Sequence, residues 1–136
     1  MATRSTIARL IGNEVESIYC HFDGYPEGVG ATLSAHYTDP LKIARLMSLG
    51  DVSVLAEEIG ESNDFDNPTD NVCLFYGRDR NEDGVDALSH KSVSAWLAAR
   101  EDNGCEYAYF WNGLAWETFQ RKYDEGWVEL RENDTP

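Results

Sequence analysis

The chain has 136 residues, of which 42% are hydrophobic and 12% aromatic, which suits one domain around one core and excludes disorder along most of its length. Twenty-five acids against eleven bases give a formal charge of −14; this excludes direct nucleic-acid binding through phosphates, which needs Lys and Arg to displace counterions, and favours a basic partner. No apolar run reaches the roughly 18 residues of a membrane span, no secretory signal opens the chain, and Cys20, Cys73 and Cys105 form no Cys-x-x-Cys pair, so the chain is expected in the cytoplasm, without a membrane or a disulfide framework.

Residues 5–11 alternate, Gly12-Asn13 supplies a two-residue turn, and residues 15–22 alternate again. This predicts an N-terminal hairpin with Ile18, Cys20 and Phe22 on one face and Val15, Ser17, Tyr19 and His21 on the other. Asp23-Gly24-Tyr25-Pro26 breaks the strand, since Pro26 cannot donate to a ladder. A helix is predicted over 27–37, carrying Val29, Leu33 and His36/Tyr37 on one stripe. Gly28 and Gly30 each weaken that helix by about 1 kcal/mol relative to Ala, so they are expected to admit a close neighbour.

Asp39 as N-cap, Pro40 at the first helical position and Gly50 just past the end mark a second helix, with Leu41, Ile43, Ala44, Leu46 and Met47 as its buried side. Asp51 then reads as the cap of a shorter helix with Val52, Leu55 and Ile59 at i, i+3 and i+7. A polar loop over 61–69 leads to a buried central strand over 71–76. Gly77-Arg78-Asp79-Arg80 leaves that strand, and an acidic loop covers 81–88. Ser89 or Ser92 caps a helix reaching Arg100, with Val93, Trp96 and Leu97 facing inward. Strands over 105–111 and 114–119 flank Asn112-Gly113, a type I′ turn signal; a last strand over 127–130 precedes a tail, 131–136, expected to fray. The order of elements predicts an α+β fold: an antiparallel sheet of N- and C-terminal hairpins plus a central strand, with three to four helices on one face.

No motif names a reaction or implies a cofactor. Between Leu46 and Gly77 there is no Lys or Arg, while Asp51, Glu57, Glu58, Glu61, Asp64, Asp66 and Asp70 fall in that window. With Glu82, Asp83 and Asp86 they form the candidate partner-binding surface. A candidate ligand set comprises His21, Asp23, Tyr25 and His36 around the 21–30 corner, with Arg78 and Arg80, whose guanidinium groups suit a carboxylate or phosphate. His21, Asp23 and His36 could also serve acid–base chemistry; they lack a firm third or fourth metal ligand, and no metal site is assigned. The plainer reading has Asp23 capping the helix start and the histidines bracing the corner. Glu27 in the first helical turn opposes a phosphate there. Tyr107, Tyr109 and Trp111 share a strand face that reads mainly as core, with acids rather than bases between its aromatics.

The block Tyr-Cys-His-Phe-Asp-Gly-Tyr-Pro at 19–26, followed by Gly30, Leu33, His36-Tyr37, Leu49-Gly50-Asp51 and Tyr76-Gly77-Arg78-Asp79, is similar to a group of small acidic proteins of phages, prophages and bacterial genomes. The resemblance implies a phage-type accessory protein that occupies a host or defence protein, in some cases by imitating DNA phosphates. Three readings follow in order: an inhibitor of a basic, nucleic-acid-binding host protein; a nucleotide-binding protein using the corner; and a His/Asp hydrolase. An exposed hairpin edge also allows a homodimer.

Overall fold

The computed structural model describes residues 2–130. Strands β1 (Ser5–Ile11) and β2 (Glu14–Cys20) form the predicted hairpin, with Ile11 opposite Glu14 across a two-residue turn. Gly12 takes the positive φ of 60° which that turn requires. A π-helical turn (Pro26–Gly30) and α1 (Ala31–His36) follow, then α2 (Pro40–Ser48), β3 (Val52–Val54), β4 (Leu74–Phe75), α3 (Tyr76–Arg80), β5 (Leu88–His90), α4 (Val93–Glu101), β6 (Tyr107–Trp111), β7 (Trp116–Lys122) and β8 (Gly126–Leu130).

The fold is α+β. Among the described residues one eight-stranded sheet runs β4-β3-β2-β1-β6-β7-β8, with β5 attached to β2. The sheet is mixed rather than purely antiparallel: β1 pairs parallel with β6, and β2 parallel with β3. The C-terminal hairpin thus docks beside β1 and leaves β8 and β4 at the ends of the main strand order.

Helices cover both faces of the sheet rather than one, because the strands are apolar on both sides. Ile7, Ile18, Cys20, Tyr109 and Trp111 point into a core with Val29, Leu33, Ile43, Leu46 and Met47. Ala8, Val15, Ala108 and Phe110 point the other way, onto Trp96 and Leu97 of α4. Alternation along each strand assigns the two sets, and α4 is long enough to bury the second. Trp96 also fastens β1 to β2: its Nε1 donates to Thr6 Oγ1 at 2.9 Å, and that hydroxyl donates to the Ile18 carbonyl at 2.9 Å.

The second helix forms as its signals predict. Asp39 accepts from Leu41 N at 2.9 Å, with Pro40 behind it. Leu41, expected on its buried side, is 80% exposed, since it sits in the first turn where the helix overhangs the core. The expected helix after Asp51 is absent. Val52 and Ser53 instead accept from His21 N and Phe22 N at 3.1 Å each, extending the sheet past Cys20. Val52, Leu55 and Ile59 are buried along extended chain; so short an apolar series fits either conformation, and strand pairing decides it.

The central strand shrinks to Leu74–Phe75 at a sheet end, and 76–80 coil into α3 rather than a loop. Leu88, the last residue of the 81–88 loop, opens β5 with Ser89 and His90. Asn112 closes a four-residue loop rather than a two-residue turn. Trp111 pairs with Trp116, and Asn112 Oδ1 accepts from Leu114 N and Ala115 N, an Asx turn that outcompetes the tighter hairpin. Ser92 rather than Ser89 caps α4, accepting from Ala95 N at 3.1 Å. The tail over 131–136 lies outside the described residues.

Candidate functional site

The base-free segment winds around one ion pair. Asp79, whose side chain is inaccessible to solvent, accepts from Asn63 N and Phe75 N at 2.8 Å each, and from Arg78 Nε at 3.0 Å and Nη2 at 3.2 Å. Arg78 spends its other N–H groups on the carbonyls of Ile59, Gly60 and Cys73. All five guanidinium donors are therefore occupied. Burial would raise the Asp79 carboxyl, but the hydrogen bonds from Arg78, Phe75 and Asn63 outweigh it and hold it below the usual carboxylate range. Asn63 extends the frame by accepting from Asp64 N and Thr69 N, and by donating to Thr69 and Val72 carbonyls.

This frame displays the acids. Glu57, Glu58, Glu61, Asp64, Asp66, Asp70, Glu82, Asp83 and Asp86 are all exposed. The two acidic loops meet at Arg80, whose guanidinium lies 4.4 Å from the Phe65 ring centre and 5.1 Å from that of Tyr76, and whose Nε donates to Glu82 at 2.7 Å. Bases border the face on α2. Lys42 Nζ donates to the carbonyls of His36 and Glu57, and Arg45 Nη2 to that of Gly60. Beneath the 61–72 loop a pocket of about 270 Å³ is lined by Val54, Ala56, Pro68, Val72 and Leu74, with Asp70 at its margin.

The corner is braced by local hydrogen bonds and ring contacts. His21 Nδ1 bonds the Tyr19 hydroxyl at 2.7 Å and its ring meets Phe22 edge-on. Burial, aided by the charge of Arg4, lowers its pKa. Among the described residues the Asp23 carboxylate reaches only the Tyr25 hydroxyl, at 3.4 Å; its backbone, at φ 58°, makes the turn, and its carbonyl rather than its side chain caps the helix by accepting from Val29 N at 2.8 Å. His36 neighbours Glu57 instead, at 3.9 Å. Among the described residues the three groups bond to separate partners rather than to one another. Among the described residues no cluster of three His, Cys, Asp or Glu side chains has metal-binding geometry.

The glycines of the corner do admit close neighbours, as expected. A Cβ on Gly28 would collide with the Asp23 carbonyl, and one on Gly30 would stand 3.1 Å from the Tyr109 ring. Tyr109 Oη donates to the Gly24 carbonyl at 2.6 Å. Arg78, having no donor left, does not serve the ligand set, and Arg80 is stacked and paired on the acidic face.

Asp51 departs from the acidic surface. It is partly buried at the gap in the sheet where β5 ends and β3 begins, and Oδ1 accepts from Tyr19 N at 2.9 Å. Burial raises its pKa, against the opposing pull of that hydrogen bond and of Arg100. Arg100 is itself 3% exposed. Its Nε and Nη2 donate to Ser17 Oγ, Nη2 also to the Ser17 carbonyl, and Nη1 to Asn103 Oδ1. Ser17 Oγ lies 2.8 Å from His90 Nε2. Ser17 Oγ thus joins Arg100 and His90 in one hydrogen-bond network. Neither Arg100 nor His90 was singled out as a site residue in the sequence, though Arg100 stands at i+4 from Trp96 and i+7 from Val93, a cation on the buried stripe of its helix.

Among the described residues no helix is long and apolar enough to cross a membrane. Comparison of the chain with family models, with curated proteins and with solved structures finds no match.

Proposed function

We propose that the protein is a non-enzymatic interaction protein that binds and inhibits a basic partner through the acidic face formed by 57–70 and 82–86. The observation that carries this reading is the joining of the exposed carboxylates of 57–70 to a hydrogen-bonded frame, with those of 82–86 beside them. Asp79, Arg78 and Asn63 hold the loop through side-chain bonds to its backbone, so little ordering entropy remains to be lost on binding. Fixed carboxylates are complementary to a groove that ordinarily receives nucleic-acid phosphates, and they raise the encounter rate with it. The apolar pocket under the 61–72 loop offers an anchor for one partner side chain within the charged field. The resemblance of the 19–26 block to phage-type proteins makes the partner a host or defence protein, with DNA mimicry as the mode.

The test compares two variants with equal charge loss. One neutralises Glu57, Glu58, Glu61, Asp66 and Asp70 to their amides; the other treats Glu14, Asp102, Asp124, Glu125 and Glu129 alike. Immobilised protein captures basic nucleic-acid-binding proteins from bacterial lysate at low salt. The first variant loses that capture and the second retains it, and duplex DNA competes. Equal loss in both would mean that net charge acts rather than this face, and failure of the unaltered protein to capture any basic protein would end the proposal.

A further inference from the structure

We propose that the cavity between β2 and the C-terminal end of α4 binds a small free α-amino acid. It has a volume of about 170 Å³ and is lined by Tyr19, Asp51, Arg100 and Asn103. It is an open cleft rather than a sealed cavity, with room for a molecule of glycine, alanine or serine size. The site adjoins the 82–86 loop, where Asp51 N donates to the Val85 carbonyl at 2.8 Å and the Asp86 charge adds to the rise in the Asp51 pKa, but the assignment does not rest on partner binding by the acidic face.

The charges specify the ligand. Arg100 is buried, yet its four hydrogen bonds all end on neutral oxygens, those of Ser17 and Asn103. No carboxylate pairs with it among the described residues. A buried cation without an anion is unfavourable, and one of its two Nη1 hydrogens has no acceptor among the described residues. Asp51 lines the same cavity. Its Oδ1 holds Tyr19 N, while Oδ2 has no donor among the described residues. The two opposite charges thus share a cavity without touching.

A plain anion such as phosphate would meet the Asp51 carboxylate, and a plain amine would meet the guanidinium. A molecule that carries a carboxylate and an ammonium group on one carbon answers both, the first at Arg100 and the second at Asp51. It adds no net charge to the cavity. Asn103, exposed at the rim, can donate its amide to the ligand carboxylate. Burial raises the pKa of Asp51 and lowers that of Arg100, which is the direction expected for two charges left unneutralised in partial burial.

Titration calorimetry and amide chemical shifts on the full chain test the assignment, with glycine, L-serine, glycolate, ethanolamine and inorganic phosphate as probes. Concentrations up to about 10 mM saturate a site with a Kd of about 1 mM. Glycine or L-serine is expected to give saturable shifts at Tyr19, Asp51 and Asn103. Asp51→Asn keeps an acceptor for Tyr19 N but removes the partner of the ammonium group, and it should weaken amino-acid binding by about tenfold or more. Asn103→Ala, at the exposed rim, should weaken it less and keep the fold. The proposal is overturned if neither amino acid binds, if glycolate, ethanolamine or phosphate binds as tightly as they do, or if Asp51→Asn, folded by circular dichroism, binds them unchanged.

Discussion

Replacing Asp79 by Ala should damage the acidic loop more than any of the exposed carboxylates could. The change removes four hydrogen bonds, to Asn63 N, Phe75 N and two donors of Arg78. It also leaves the Arg78 guanidinium, only 13% exposed, without its anion. Removing one partner of a buried pair costs about 3–5 kcal/mol, a large share of the roughly 5–15 kcal/mol that holds a domain folded. Urea denaturation measures the loss as a fall in midpoint at constant slope. Hydrogen exchange should localise it, with protection falling first at Asn63 and Phe75. The acid limb carries an independent signature. The folded carboxyl titrates below its unfolded value of about 3.9, so its contribution is complete above that pH and lost as pH falls through the folded-state value. Asp79→Ala should therefore flatten the acid limb of the stability profile. A loss below about 1 kcal/mol, typical of exposed pairs, with an unchanged acid limb, would refute the claim that this pair holds the loop.

Two further outcomes follow from the same geometry. Gly28→Ala places a methyl group against the Asp23 carbonyl and should cost about 1–3 kcal/mol in thermal or urea unfolding, as overpacking does; a neutral result would mean that the corner yields freely. Native protein should resist a thiol-directed reagent at pH 8, because Cys20, Cys73 and Cys105 are buried and burial pushes the Cys20 and Cys105 thiols up to about 12. Three thiols should react in denaturant, and rapid labelling of the folded chain would contradict the packing.

Much of the local structure could be read from residue pattern. The N-terminal hairpin, the Asp39–Pro40 helix start and the Ser92 cap each depend on neighbours within a few positions, and each stands where the pattern puts it. The base-free segment likewise announces six of its seven acids as exposed, and the three acids of 82–86 are exposed as well. Asp51 is the exception, and its case shows where local reading stops. A carboxylate before an apolar run resembles a helix cap, but here the sheet leaves Tyr19 N open between β5 and β3, and Asp51 fills that gap.

Composition and period by themselves determined an acidic α+β domain with buried thiols, hairpins at both ends and a carboxylate-rich middle. Only the tertiary structure decided that β1 takes β6 as a parallel neighbour, that helices cover both faces of the sheet, and that Arg78 turns inward while Arg100 and Asp51 share a cavity. The physical reason is range. Capping and alternation act between residues a few positions apart, whereas the partners of a buried charge are set by chain segments as distant as Ser17 and Arg100, which meet only once the sheet has closed over α4.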